Sequence, residues 1–116
     1  MELNLDLILK NLIEGLEKQA YFILITTENG VVMKSYINED EFNKSSISVN
    51  MAQLYEIAEE VTNEIGIHTP DFNIIHSDNF YIISIKIMER VIILLTQDQV
   101  NIGNIFEIIN KSTLQA

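Results

Sequence analysis

Residue types that carry chemistry are few in this sequence, and their spacing ties them to no reaction. His68 and His76 fall eight residues apart, one in a loop and one in a strand, which is not the one-turn helical spacing of an H-E-x-x-H metal site. Glu56, Glu59 and Glu60 share a helix. Paired carboxylates act as acid and base only in a cleft that shifts their pKa, and on a polar helix face they form a solvated patch. Ser45, Ser46 and Ser48 lack the G-x-S-x-G setting of an activated nucleophile. Gly30 and Gly103 belong to neither type of phosphate-cradling loop. Arg90, the only arginine, reads as a turn residue beside Glu89 rather than a finger on a nucleotide. With no cysteine, disulfides and thiolate metal sites are excluded. The expectation is a protein with no catalytic, cofactor-binding or metal-binding residue.

The elements that would hold any site are easier to read. Leu5, Ile8, Leu9, Leu12, Ile13 and Leu16 recur at helical intervals, predicting a first helix over Leu3–Lys18 with Gly15 a tolerated weak spot. Ala20–Thr27 is apolar on both faces, as a strand covered on both sides must be. Glu28–Asn29–Gly30 supplies the left-handed conformations of a tight hairpin, and the more polar Val31–Ile37 returns as an edge strand. Asn38–Glu41 reads as an acidic turn suited to a helix N-terminus. Ile47, Met51, Leu54, Ala58, Val61 and Ile65 then form one apolar seam along a long helix, flanked by Tyr55 and Ile57. Gln53, Glu56, Glu59, Glu60 and Asn63 lie on its water face, Gly66 caps it, and Pro70 bars its resumption.

Three further strands follow at hairpin spacing: Asp71–Ser77, mixed and therefore an edge, then Phe80–Ile87 and Val91–Gln97, apolar on both faces and therefore central. Ser84 and Thr96 interrupt those inner strands, and each is expected to satisfy itself on nearby backbone. Asn101 is placed to cap a last helix with Ile102, Ile105, Phe106, Ile108 and Ile109 on one face. The order α-β-β-α-β-β-β-α, in one domain spanning 1–116, implies a five-stranded sheet between helix layers.

Composition narrows the class of partner. A hydrophobic fraction of 47% over 116 residues supports a buried core without staples. A net charge of −10, with seven scattered Lys and Arg, excludes nucleic acid and anionic lipid as ligands. The first residues show neither the basic start nor the apolar run of a secretory signal, and no apolar stretch is long enough to span a bilayer. A soluble, cytoplasmic protein without membrane insertion is expected.

With those elements placed, the sequence resembles the Roadblock/dynein light-chain family over Leu5 to about Lys111. The resemblance rests on the hairpin Ile23–Val32 with its turn ending at Gly30, the helix through Ala52, Leu54, Ala58 and Ile65–Gly66, and the helix entry Asn101–Ile102–Gly103–Asn104–Ile105. It departs at Gln19–Ala20, where the family usually has a glycine before strand one. The resemblance implies a Roadblock/profilin-like α+β sandwich, mostly antiparallel, with strands ordered 2-1-5-4-3 and the middle helix alone on one face. It implies a homodimer, or pairing with a second Roadblock-like chain, made by joining third strands and packing middle helices. On that expectation the dimer face takes in Met51, Tyr55, Ile57, Ala58 and the strand Phe72, Asn73, Ile74, Ile75 and His76. It also implies a scaffold or regulator for a small Ras-like GTPase, of the prokaryotic type, met by Gln53, Glu56, Glu60 and Asn63, with the hairpin around Glu28–Gly30 as the other surface on offer. Two readings compete: a profilin-like or PAS-like sensor holding a small molecule in its core, and a structural subunit with no GTPase partner. A sensor pocket wants convergent polar groups among apolar walls, whereas these inner strands are almost uniformly Ile, Leu and Val.

Overall fold

The first helix, α1 (Leu5–Leu16), starts at Asn4, whose side-chain oxygen accepts the Leu7 N–H at 3.0 Å and so satisfies one of the free amides of the first turn. The structure, a computed structural model, describes residues 3–38 and 42–114. Most of the turn expected at 38–41 lies outside these. A short 3-10 turn, Glu17–Gln19, follows α1. The remaining elements are β1 (Ala20–Thr27), β2 (Val32–Ile37), α2 (Lys44–Ile65), β3 (Phe72–Ser77), β4 (Phe80–Ile87), β5 (Arg90–Gln97) and α3 (Ile102–Leu114).

The five strands form one antiparallel sheet in the order β2-β1-β5-β4-β3, so the two polar strands are the edges. Because side chains alternate between faces, the register sorts the sheet into rows. On one face Ile23, Leu94, Ile83 and Ile74 lie side by side, as do Ile25, Ile92, Ile85 and Phe72. Ile8, Leu12 and Leu16 of α1 and Ile105 and Ile109 of α3 close over this face as one buried core. Asn11 Nδ2 donates to Ser112 Oγ at 2.9 Å between the two helices. Gly15, expected to be a weak spot, has a packing role: a Cβ there would come 2.5 Å from Ile108 Cδ1, so the bare backbone lets α1 and α3 approach.

The other face belongs to α2 alone. Its rows are Phe22, Leu95, Ile82 and Ile75, then Leu24, Ile93, Ser84 and Asn73, the second turning polar toward β3. Asn43 caps α2 by accepting the Ser46 N–H at 3.0 Å. Gly66, at φ 86°, ends it with its own N–H and that of Ile67 bonded to Thr62 O, the left-handed stop that glycine adopts without strain. The 22 residues of α2 make a rod of about 33 Å, whereas an eight-residue strand such as β4 reaches about 26 Å. The helix is longer than the strands it covers.

Ser84 and Thr96 do not satisfy themselves on backbone. Both hydroxyls are buried without a hydrogen-bond partner among the described residues. Other hydroxyls do find backbone: Ser112 donates to Ile108 O and Thr62 to Glu59 O in helices, and Thr26 to Thr27 O in β1.

Candidate interaction surface

The seam expected along α2 divides in three dimensions. Met51 and Tyr55, 7% and 4% exposed, press against the chain's own sheet beside Phe22, Leu24, Val91 and Ile93. They were expected at a dimer face; in the single chain they lie on the inward stripe that they share at 100° per residue. Ile57 lies on the opposite side of the inward stripe from Ala52 and Glu59 and is 56% exposed; Val61 and Ile65, one and two turns on, are exposed as well, Ile65 at 67%. Ala58 sits half-buried at the margin. Val61 and Ile65 belong to the expected apolar seam and are exposed toward the C-terminal end of α2.

Strand β3 forms the second half of the surface. It pairs only with β4, so one row of its backbone amides and carbonyls is open. Phe72, Ile74 and His76 face the α1–α3 side, Phe72 edge-on to Phe106 with ring centroids 5.0 Å apart. His76 Nε2 lies 3.2 Å from Asp98 Oδ2. Asn73 and Ile75 face the α2 side, and the Asn73 Nδ2 has no partner among the described residues. Phe72, Ile74 and Ile75 are exposed on β3, the first two on the α1–α3 side and Ile75 on the α2 side, and Ile57, Val61, Ile65 and Ile67 are exposed on α2 and the following loop. Soluble monomers seldom leave so many large apolar side chains uncovered along neighbouring elements.

The outer face of α2 carries Gln53, Glu56, Glu60 and Asn63, all exposed as expected. Beside it lies a cleft of about 340 Å³ that the sequence did not reveal. It is lined by Glu28 and Asn29 of the β1–β2 turn, by Ala52, Gln53, Tyr55, Glu56 and Glu59 of α2, and by Lys86 of β4. Gly30 fastens the turn to the helix: it has φ 89°, and its carbonyl accepts from Ser48 Oγ at 2.6 Å. Of the three turn residues expected to be left-handed, only this one is. Lys86 Nζ stands 3.6 Å from Glu28 Oε1 and 5.9 Å from the centre of the Tyr55 ring. Burial, then the carboxylates of Glu59, Asp71 and Glu28, push the Tyr55 phenol up to about 12, so it remains a neutral hydroxyl. No group of three or more His, Asp or Glu among the described residues is arranged to hold a metal ion, and none of the described helices is long and apolar enough to cross a membrane.

No protein-family model matches the sequence. No curated protein matches it either. Solved structures do match in shape. MglB of Myxococcus xanthus is 13% identical, with 88% of this chain covering 82% of that one at a TM-score of 0.78. A Roadblock/LC7 domain from Streptomyces avermitilis is 8% identical, with coverage of 84% and 82% and a TM-score of 0.73. Profilin II of Acanthamoeba castellanii, at 11% identity and coverage of 91% and 90%, gives a TM-score of 0.56. Strand order, helix placement and these likenesses agree on one architecture: the chain has a Roadblock-type fold.

Proposed function

We propose that this chain is a non-catalytic, cytoplasmic Roadblock-type module that pairs with itself or a second Roadblock-like chain and presents the outer face of α2 to a small Ras-like GTPase. The observation that carries the reading is the open edge of β3, with Phe72, Ile74 and Ile75 exposed along it, together with the exposed Ile57, Val61 and Ile65 of α2. Joining two β3 strands would satisfy the open backbone groups of both, and packing the two helices would cover the flank that α2 leaves bare. An interface of that kind buries about 800 Å² per partner. The dimer face therefore consists of β3, Ile57, Ala58, Val61 and Ile65, without Met51 and Tyr55. Pairing would set two copies of Gln53, Glu56, Glu60 and Asn63 into one platform. The GTPase partner rests on the Roadblock resemblance and on the acidic face, whose charge would speed encounter with a basic surface at low salt.

Sedimentation velocity at low micromolar concentration tests the pairing: a dimer is expected for the wild-type chain and a folded monomer for a Val61→Asp, Ile65→Asp variant. A wild-type monomer overturns it. Capture of nucleotide-loaded small GTPases from the same genome tests the partner, with Glu56→Lys, Glu60→Lys as the control that keeps the dimer and weakens capture.

A further inference from the structure

We infer that the cleft between the β1–β2 turn, α2 and Lys86 is a socket for an arginine side chain of a partner protein. The inference rests on the reading of the α2 outer face as a partner platform and names the group that anchors there. Three carboxylates, Glu28, Glu56 and Glu59, line the cleft against the single ammonium of Lys86, leaving a surplus of negative charge in a concave site. Tyr55 also lines it; this side chain is almost wholly buried, and its hydroxyl has no partner among the described residues. A buried polar group without a partner is costly, and an incoming donor would satisfy it. Lys86 already shows what the cleft accepts, with its cation directed between a carboxylate and the face of the Tyr55 ring.

Geometry selects among cations. The carboxylates are not arranged to close on a metal ion, and the ammonium of Lys86 reaches only Glu28 among them. A guanidinium spreads five N–H donors over a rigid plane that also stacks on aromatic faces, matching dispersed carboxylates around a tyrosine. The volume of about 340 Å³ is at the small end of ligand sites, which run from about 300 to 1,000 Å³. The occupant is a protein side chain because the walls include Gln53 and Glu56, residues of the exposed platform itself, so anything docked on α2 overhangs the cleft.

The test is an amide chemical-shift titration of the full chain at low ionic strength with N-acetyl-arginine methylamide, and with the matching citrulline compound, which keeps the shape and loses the charge. Saturable shifts confined to Asn29, Ala52, Gln53, Tyr55 and Glu56 are expected with arginine only. Glu56→Gln, Glu59→Gln should weaken that response by about fivefold while leaving the rest of the spectrum unchanged. Shifts spread alike over distant acids such as Glu14, Glu64 and Glu107, an equal response to citrulline, or no response would overturn the socket. The probe is independent of any GTPase: arginine binding without GTPase capture keeps the socket and removes the proposed partner, and capture without arginine binding does the reverse.

Discussion

On the face covered by α1 and α3, the rows Ile23–Leu94–Ile83 and Ile25–Ile92–Ile85 are sealed by Ile8, Leu12, Leu16, Ile105 and Ile109. On the α2 face one helix covers five strands, with Tyr55, Asn73 and Ser84 buried without partners among the described residues and with Ile57, Val61 and Ile65 in water. Both faces are built from the same sheet, so backbone geometry does not account for the difference. The first face is closed over its centre, with the Thr96 hydroxyl unpartnered among the described residues and Phe72 and Ile74 exposed at its β3 margin; the second is shorter of cover and of hydrogen-bond partners. Surfaces left in that condition are where association gains most, since apolar area and polar satisfaction are both still available.

Truncations to alanine on the two faces must therefore cost unequally, beyond the one-carbon difference between leucine and valine. Leu12→Ala, at a fully buried position of the closed face, is expected to cost about 3 kcal/mol through lost burial and a residual cavity. Val61→Ala should cost under about 0.5 kcal/mol in the monomer while weakening the dimer. Urea denaturation, run at a concentration where the chain is monomeric, reads the first difference; sedimentation reads the second. Similar losses at both positions would erase the distinction between the faces. The next effect in size concerns how α2 is fastened. Gly30→Ala forces an alanine to φ 89° and sets a Cβ 2.8 Å from Ser48 O, a backbone atom that cannot swing aside. A cost of about 2 kcal/mol is expected, with increased amide exchange along the first turns of α2. A variant with wild-type stability would mean that the turn is not welded to the helix.

Which strands are central was legible because runs such as Ile23–Ile25 and Ile92–Leu94 are apolar on both faces and only a central strand can use them, while the order 2-1-5-4-3 came with the Roadblock resemblance. The C-terminal end of α2 was legible from Gly66 and Pro70, while its start, capped by Asn43, was not singled out. What the period of α2 does not encode is which part of its apolar seam the chain's own sheet covers, so the exposure of Val61 and Ile65 had no separate signal. Met51 and Tyr55 turn onto the chain's own sheet, which a broad apolar stripe does not specify. The cleft was hidden for a related reason. Glu28, Tyr55 and Lys86 are meaningless apart, and only the fold of the hairpin over α2 and β4 assembles them. A buried hydroxyl reads like any other in sequence, so the solitary state of Ser84 and Tyr55 had no signal at all.

The smallest expected effect bears on the polar shortage of the α2 face. The Tyr55 hydroxyl is enclosed, unpartnered among the described residues, and held neutral by burial and by the charges of Glu59, Asp71 and Glu28. Removing it in Tyr55→Phe keeps the ring against the sheet and deletes an unsatisfied polar atom, so stability near neutral pH should rise by about 1 kcal/mol. The pH dependence follows from linkage. The phenol has a pKa of about 12 in the fold against 10.0 in the open chain, so above pH 10 the unfolded state loses its proton first. The stabilisation is complete below pH 10 and is lost as pH climbs toward 12. Tyr55→Phe should therefore flatten the stability curve in that window, and spectrophotometric titration should show one tyrosine of the four ionising late. If all four ionise together, or if Tyr55→Phe lowers stability, the hydroxyl is already well served, and the α2 face is less incomplete than its geometry states.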